Sequence, residues 1–193
     1  MRKKQSRLIP KNAKRVYKGI MFDVYHWRQR MFDGSYATFE GIKRLNTVLV
    51  IPAIDGKVAL LRESQPRMPT TYSFVAGKIE RGETPINAAR RELQEETGYK
   101  AKSLRLIFTY NPDIQIDWKI YVYVATGCRL AGPQKLDPGE KIKVVPMDFN
   151  RFINTVLYKQ GRFDHYIKEK LFCRIRDSAS YCEKFKRLLF GKG

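Results

Sequence analysis

Apolar residues along this chain follow two different periods. Residues 14–30 are rich in Val, Tyr, Phe and Trp and predict extended segments. Asp33-Gly34 is a tight-turn signal, and Tyr36–Ile42 predicts the next strand. TVLVIPAI (47–54) and KVALLR (57–62) flank Asp55-Gly56 and predict a hairpin. Phe74 and Val75 should then lead into a loop at 76–82. LRLIFTY (104–110), KIYVYVAT (119–126) and IKVV (142–145) predict further strands; in the second, Ile120, Val122 and Val124 alternate with Tyr121 and Tyr123. The period becomes helical between Pro85 and Thr97. Thr84 is a good N-cap, Pro85 suits the first helical position, and Gly98 suits a left-handed C-cap. Ile86, Ala89, Leu93 and Thr97 then share one stripe that should face a core. Asp148 should cap a second helix ending at Gly161, and a third begins near Asp164, with Ile167, Leu171, Phe172 and Ile175 at helical spacing. The order predicts an α/β protein: a mixed sheet with one helix after its central hairpin and another after its last strand.

Composition narrows the class. At 193 residues with 43% hydrophobic content, the chain can bury a sizeable core. No apolar run approaches the roughly 18 residues of a membrane span. The basic start MRKKQSRLIPKNAKR is not followed by an apolar signal core, so a cytoplasmic protein with no membrane partner is expected. Cys128, Cys173 and Cys182 lack metal-ligand spacing and are odd in number, which points to reduced thiols rather than a disulfide framework. The net charge of +19 is concentrated at residues 2–18 and 168–192. Such a charge attracts polyanions and predicts nonspecific nucleic acid binding.

The first helix carries the candidate chemistry. Glu92, Glu95 and Glu96 fall on a flank beside the apolar stripe, at spacings that make them neighbours. Like charges so placed repel by roughly 0.2–0.5 kcal/mol per pair. A helix selected for stability alone would place lysines among them. Hard carboxylate oxygens converging on one point suit Mg²⁺, usually held by one or two carboxylates plus substrate phosphates.

GKIERGETPINAARRELQEETGY (77–99) fits the spacing G-x5-E-x7-R-E-[apolar]-x-E-E-x-G-[apolar] throughout. A chance match at a given start is on the order of one in a billion from ordinary composition. The segment resembles the box of the Nudix hydrolases, metal-dependent enzymes that cleave nucleoside diphosphates linked to another group. The resemblance implies a Nudix α/β/α sandwich, here with N-terminal antiparallel strands. It implies metal ligation by Glu92, Glu95, Glu96 and the Ala76 carbonyl, with Mg²⁺ or Mn²⁺ as cofactor. Glu83 and Arg91 would form a structural ion pair, while Gly77 and Gly98 would shape the turns. Glu96 and Glu95 are candidate catalytic residues, and Glu140, in the loop 136–140, matches a family glutamate proposed to activate water.

The wider context resembles the ADP-ribose pyrophosphatase, or nucleotide-sugar diphosphatase, branch over roughly residues 14–175. The carrying features are the strands before the core, VAGKIERGETPINAARRELQEETGY, Pro112, LDPGEKIKVVPMDF (136–149) and YKQGRFDHYIKEKLF (158–172). This implies N-terminal strands over 1–45 that make a homodimer and contribute to the partner's substrate site. A catalytic core over 46–161 and a basic helical extension over 162–193 would follow. Two stretches depart from the branch. Its common Glu-Leu-Pro-Ala-Gly is Ser73-Phe74-Val75-Ala76-Gly77 here, and its Arg-Gln-Tyr-Arg is Arg62-Glu63-Ser64-Gln65, with Arg67 close by. The family's substrate-holding arginine is thus replaced by Gln65 or supplied by Arg67. Trp27, Phe39 and Trp118 are candidates for stacking on a nucleobase. Hydrolysis of ADP-ribose to AMP and ribose 5-phosphate, or of a related nucleotide sugar, is the expected activity. The charge leaves open an RNA 5′-end pyrophosphohydrolase, and a non-catalytic nucleotide or RNA sensor is the third alternative.

Overall fold

The computed structural model describes residues 8–113 and 115–191. The first seven residues of the basic N-terminal run, and residues 192–193 of the basic C-terminal extension, lie outside the described residues. The strands are β1 (Lys14–Lys18), β2 (Asp23–Arg30), β3 (Tyr36–Lys43), β4 (Thr47–Ile54), β5 (Lys57–Gln65), β6 (Met68–Ser73) and β7 (Val75–Lys78). Helix α1 (Pro85–Thr97) follows, then β8 (Tyr99–Lys100), β9 (Ser103–Tyr110), β10 (Ile116–Asp117), β11 (Ile120–Thr126), β12 (Arg129–Leu130) and β13 (Lys141–Met147). The chain closes with α2 (Phe149–Tyr158), α3 (His165–Ile167), a π-helical stretch Lys168–Cys173, α4 (Arg174–Asp177) and α5 (Ala179–Phe190). Among the described residues no helix is long and apolar enough to cross a membrane.

The chain divides into two compact units. One combines the segment up to Asn46 with Tyr110–Ile120; the other combines Thr47–Thr109 with the chain from Tyr121 on. In the first unit β1, β2 and β3 form an antiparallel sheet, which β10 joins in parallel beside β3. Gly34, at φ 86°, makes the β2–β3 turn, and Asp33 accepts hydrogen bonds from the Ser35 backbone and hydroxyl. Trp27 and Phe39 are cross-strand partners with ring centroids 6.0 Å apart.

The second unit is built on a seven-stranded sheet in the order β13-β5-β4-β11-β9, with β6 beside β5 and β7 beside β4. Strand β4 is apolar on both faces because both faces are covered, and only Thr47 is not fully buried. Asp55 (φ 48°) and Gly56 (φ 73°) take the two left-handed positions of the expected hairpin turn. The main core joins Val48, Val50, Leu61, Val75 and Tyr123 of the sheet to Ala88, Ala89 and Leu93 of α1. A separate aromatic cluster of Phe74, Phe152, Phe163 and Phe172 ties the end of β6 to α2 and the π-helical stretch.

Helix α1 has the boundaries and caps its sequence predicts. Thr84 accepts from the Asn87 N–H and Gly98 sits at φ 77°. Two details differ from expectation. The stretch after Val75 is not all loop: Val75–Lys78 pairs with Thr47–Val50, which delays the loop to Ile79. Helix α2 ends at Tyr158 rather than Gly161, because the Gly161 backbone is drawn into a parallel bridge with Tyr72.

Candidate active site

The loop from β7 and the first turns of α1 are held together by one side chain. Arg91 uses all five N–H donors. Nε and Nη2 grip the two Glu83 oxygens at 3.1 and 3.0 Å, and Nη2 also reaches the Lys78 carbonyl at 2.9 Å. Nη1 donates to Glu92 at 2.8 Å and Glu95 at 3.0 Å. The bidentate pairing holds the Glu83 carboxyl below the usual carboxylate range, and Glu83 in turn accepts from the Glu80 N–H at 3.0 Å. The same contacts raise the already high Arg91 pKa. The Glu83–Arg91 ion pair expected from the sequence is therefore present.

Glu96 points the opposite way, into the sheet. It is only 7% exposed, and its carboxylate accepts from the Ala76 N–H at 3.1 Å. Burial raises its pKa to about 9, with further repulsion from Glu92, Glu140 and Glu63. Glu92 is also raised, mainly by burial, despite its contact with Arg91. Gly77 lies directly over Glu92: a Cβ there would overlap the carboxylate. The C-terminal turn of α1 is secured from downstream, by the Lys135 N–H on the Glu95 carbonyl at 2.8 Å and by the Gln134 amide on the Glu96 carbonyl. Gly98 approaches the Gly132 carbonyl so closely that a side chain would collide with it.

Glu140 immediately precedes β13, which pairs with β5 from Lys141 opposite Ser64. Its carboxyl is raised by burial and by the neighbouring charges of Asp137 and Glu63, against a lowering from Arg162. The structure thus gathers Ala76, Gly77, Glu92 and Glu96 at one junction, with Glu140 in the same electrostatic neighbourhood. Glu95 lies on the flank, tied to Arg91. Arg67 occupies the β5–β6 turn in a left-handed conformation, φ 64°. Trp27 and Phe39 face each other in the first unit, and the Trp118 ring there carries the Arg44 guanidinium 4.0 Å from its centroid. A cleft of about 480 Å³ between β9 and α5, lined by Arg105, Phe108, Leu171, Lys184 and Arg187, has no carboxylate in its walls.

Two site residues escaped sequence reasoning. Glu63 is buried among β5, β6 and the segment after α2, and Arg162 is its counter-ion at 3.0 Å. They are 99 positions apart, so no local spacing could join them. The one signal was the replacement of an expected Gln by Glu63, just after the buried apolar run Val58–Leu61.

Among the described residues no three His, Cys, Asp or Glu side chains already share one metal-sized sphere. The donor set nonetheless suits a hard divalent ion. Burial raises both the partly buried Glu92 and the buried Glu96, the Glu92 charge raises Glu96 further, and a cation at this junction would supply the missing positive charge.

The NUDIX domain profile matches residues 43–166. The chain belongs to the Nudix hydrolase family. It is 31% identical over 146 residues to the ADP-ribose pyrophosphatase of Bacillus subtilis (strain 168), covering 73% of this chain and 78% of that one. It is also 31% identical over 151 residues to a methanol dehydrogenase activator of Bacillus methanolicus, covering 76% and 74%. The fold superposes on the crystal structure of an ADP compounds hydrolase with a TM-score of 0.68, at 20% identity, over 86% of this chain and 90% of the other. Nudix hydrolases use divalent metal ions and act on small nucleotide substrates.

Proposed function

We propose that this protein hydrolyses a nucleoside diphosphate linked to another group, with ADP-ribose or a related nucleotide sugar as substrate. The junction of Ala76, Gly77, Glu92 and Glu96 under the Arg91 clamp carries this reading, and the similarity to an ADP-ribose pyrophosphatase over most of both chains directs it to that substrate class. Glu92 and Glu96 would hold Mg²⁺ or Mn²⁺, with Glu95 and the Ala76 carbonyl completing the set. The bound ion would neutralise the diphosphate and acidify a water. Arg91 and Glu83 fix the loop, and Gly77 leaves room for the Glu92 carboxylate. Glu140 accepts the proton of the attacking water, a role its raised pKa favours. Water adds to one phosphorus of the anhydride, and the other phosphate leaves: AMP and ribose 5-phosphate from ADP-ribose.

The first unit exposes Ile20, Met21, Phe32, Tyr36 and Phe39, and this apolar surface supports a homodimer. Light scattering at micromolar concentration should give twice the chain mass; a monomer rejects it. The net charge favours one second reading, hydrolysis at RNA 5′ ends. A panel of ADP-ribose, other nucleotide sugars, dinucleoside polyphosphates, nucleoside triphosphates and triphosphorylated RNA, run with and without EDTA at two salt concentrations, separates the two. Metal-dependent release of AMP from ADP-ribose, with kcat/KM only weakly dependent on salt, is expected. RNA preferred at both salt levels, with the steep salt dependence of multiple phosphate contacts, would replace the diphosphatase reading.

A further inference from the structure

Arg162 lies between α2 and α3, outside the box and outside every helix. Its guanidinium crosses to β5. Nη1 donates to Glu63 at 3.0 Å, and Nη2 donates to the Gln65 side-chain Oε1 at 3.2 Å and reaches the Met68 sulfur at 3.0 Å. The Gln65 amide donates to the same Glu63 oxygen at 2.8 Å, closing a ring of three side chains. The other Glu63 oxygen accepts from the Ser73 hydroxyl at 2.9 Å. Two further contacts repeat the attachment: the Arg162 backbone N–H donates to the Tyr72 carbonyl at 2.8 Å, and the Thr71 hydroxyl donates to the Gln160 carbonyl at 3.2 Å. Gly161 permits this approach, since a Cβ there would collide with the Phe163 ring and lie 2.8 Å from the Tyr72 oxygen.

Stability alone is a poor account of this arrangement. Buried ion pairs are often no better than apolar residues of equal volume, and the Arg162 Nε is buried with no partner. Only a planar fork can hold Glu63, Gln65 and Met68 at once, so the ring specifies geometry. What it fixes is the β5–β6 hairpin. At the tip, Pro66 runs alongside Gly139, where a Cβ would lie 3.9 Å from the proline Cδ. On the other side, Ser64 pairs with Lys141, so the ladder that starts just after Glu140 begins beside Gln65. The Glu140 N–H closes a turn onto the Asp137 carbonyl at 2.9 Å, so the loop is folded back beside the hairpin tip.

We propose that Arg162 is a positioning residue for hydrolysis. Through the Glu63–Gln65 ring it sets the β5–β6 hairpin, and the hairpin sets Glu140 relative to the carboxylates of α1. This rests on the reading of the protein as a diphosphatase in which Glu140 takes part.

The test uses the full chain, ADP-ribose and Mg²⁺. Arg162→Lys keeps a charge for Glu63 but cannot hold three partners. Gln65→Met leaves the ion pair intact and opens the ring, which keeps the test available if the lysine variant does not fold. In either variant kcat should fall roughly 10- to 100-fold, as misplacement of a reacting group by about 1 Å does, with KM little changed. Combined with Glu140→Gln, neither should lower kcat beyond Glu140→Gln alone, because both act on one element. Amide exchange in 64–72 and 137–143 should accelerate. Normal kcat, penalties that multiply in the double variants, or unchanged exchange at 137–143 would each overturn the proposal. If the wild type leaves ADP-ribose and nucleotide sugars intact, the diphosphatase reading fails separately, and the exchange data alone decide whether Arg162 controls the Glu140 loop.

Discussion

Replacing Arg91 by Met should cost more stability than any other single charge removal in the box. Met is close to Arg in helix propensity and reach, so α1 itself is little perturbed. What is lost is the partner of Glu83 and Glu92, whose side chains are only 16% and 13% exposed, and a donor to the Lys78 carbonyl. Glu95 is 39% exposed and is discounted, since screened pairs contribute little. Removing one partner of a buried pair costs about 3–5 kcal/mol. At about 2–4 °C per kcal/mol for a chain of this size, Tm should fall by roughly 6–20 °C at pH 7. The gap should close in acid. The Glu83 carboxyl is depressed in the folded protein, so its contribution is present above its unfolded value of 4.5 and lost as pH falls through the lower folded value. Protonating Glu83 and Glu92 likewise relieves the variant. Melting curves of both proteins from pH 7 to about 3 test this; a variant melting within about 2 °C of the wild type at pH 7 would show that the clamp does not stabilise the loop.

Other expectations follow from the same junction. Glu96→Gln keeps an acceptor for the Ala76 N–H, so the fold should survive while kcat falls by roughly two to four orders of magnitude; near-normal turnover would remove Glu96 from the reaction. Gly77→Ala drives a methyl group into the Glu92 carboxylate and should cost on the order of 100-fold in turnover, and unimpaired kinetics would mean that the Glu92 position is immaterial. The Cys128 thiol is buried and pushed up to about 11, so iodoacetamide at pH 8 should modify the half-buried Cys173 and Cys182 first; equal rates would contradict the burial. Because that pKa is raised from 9.0, the Cys128 contribution to stability is complete below pH 9 and lost as pH climbs toward 11.

What the sequence disclosed was what local spacing can encode. Thr84, Pro85 and Gly98 delimit α1 by capping chemistry within a few residues, and the Glu83–Arg91 pair is separated by eight positions across one turn and one loop. Asp55-Gly56 is legible because only a few residue types accept two left-handed conformations in succession. Strand Val75–Lys78 was missed because Ala76-Gly77-Lys78 has little intrinsic strand preference, and its pairing with β4 comes from tertiary context. Helix α2 stops early for a similar reason, a bridge to Tyr72 far upstream. The Glu63–Arg162 pairing stayed hidden because it spans 99 positions, beyond the reach of any local spacing.

The Glu63–Arg162 pairing also bears on how the chain is made. The acid leaves the ribosome 99 residues ahead of its counter-ion, a gap of about 5–20 s at ordinary elongation rates. Throughout that interval the nascent β5–β6 hairpin carries Glu63 without the arginine that pairs with it in the finished fold. The hairpin therefore cannot reach its final form until the segment after α2 has been synthesised, and a translation product halted before residue 162 would display an unclosed strand edge to whatever else is in the cell.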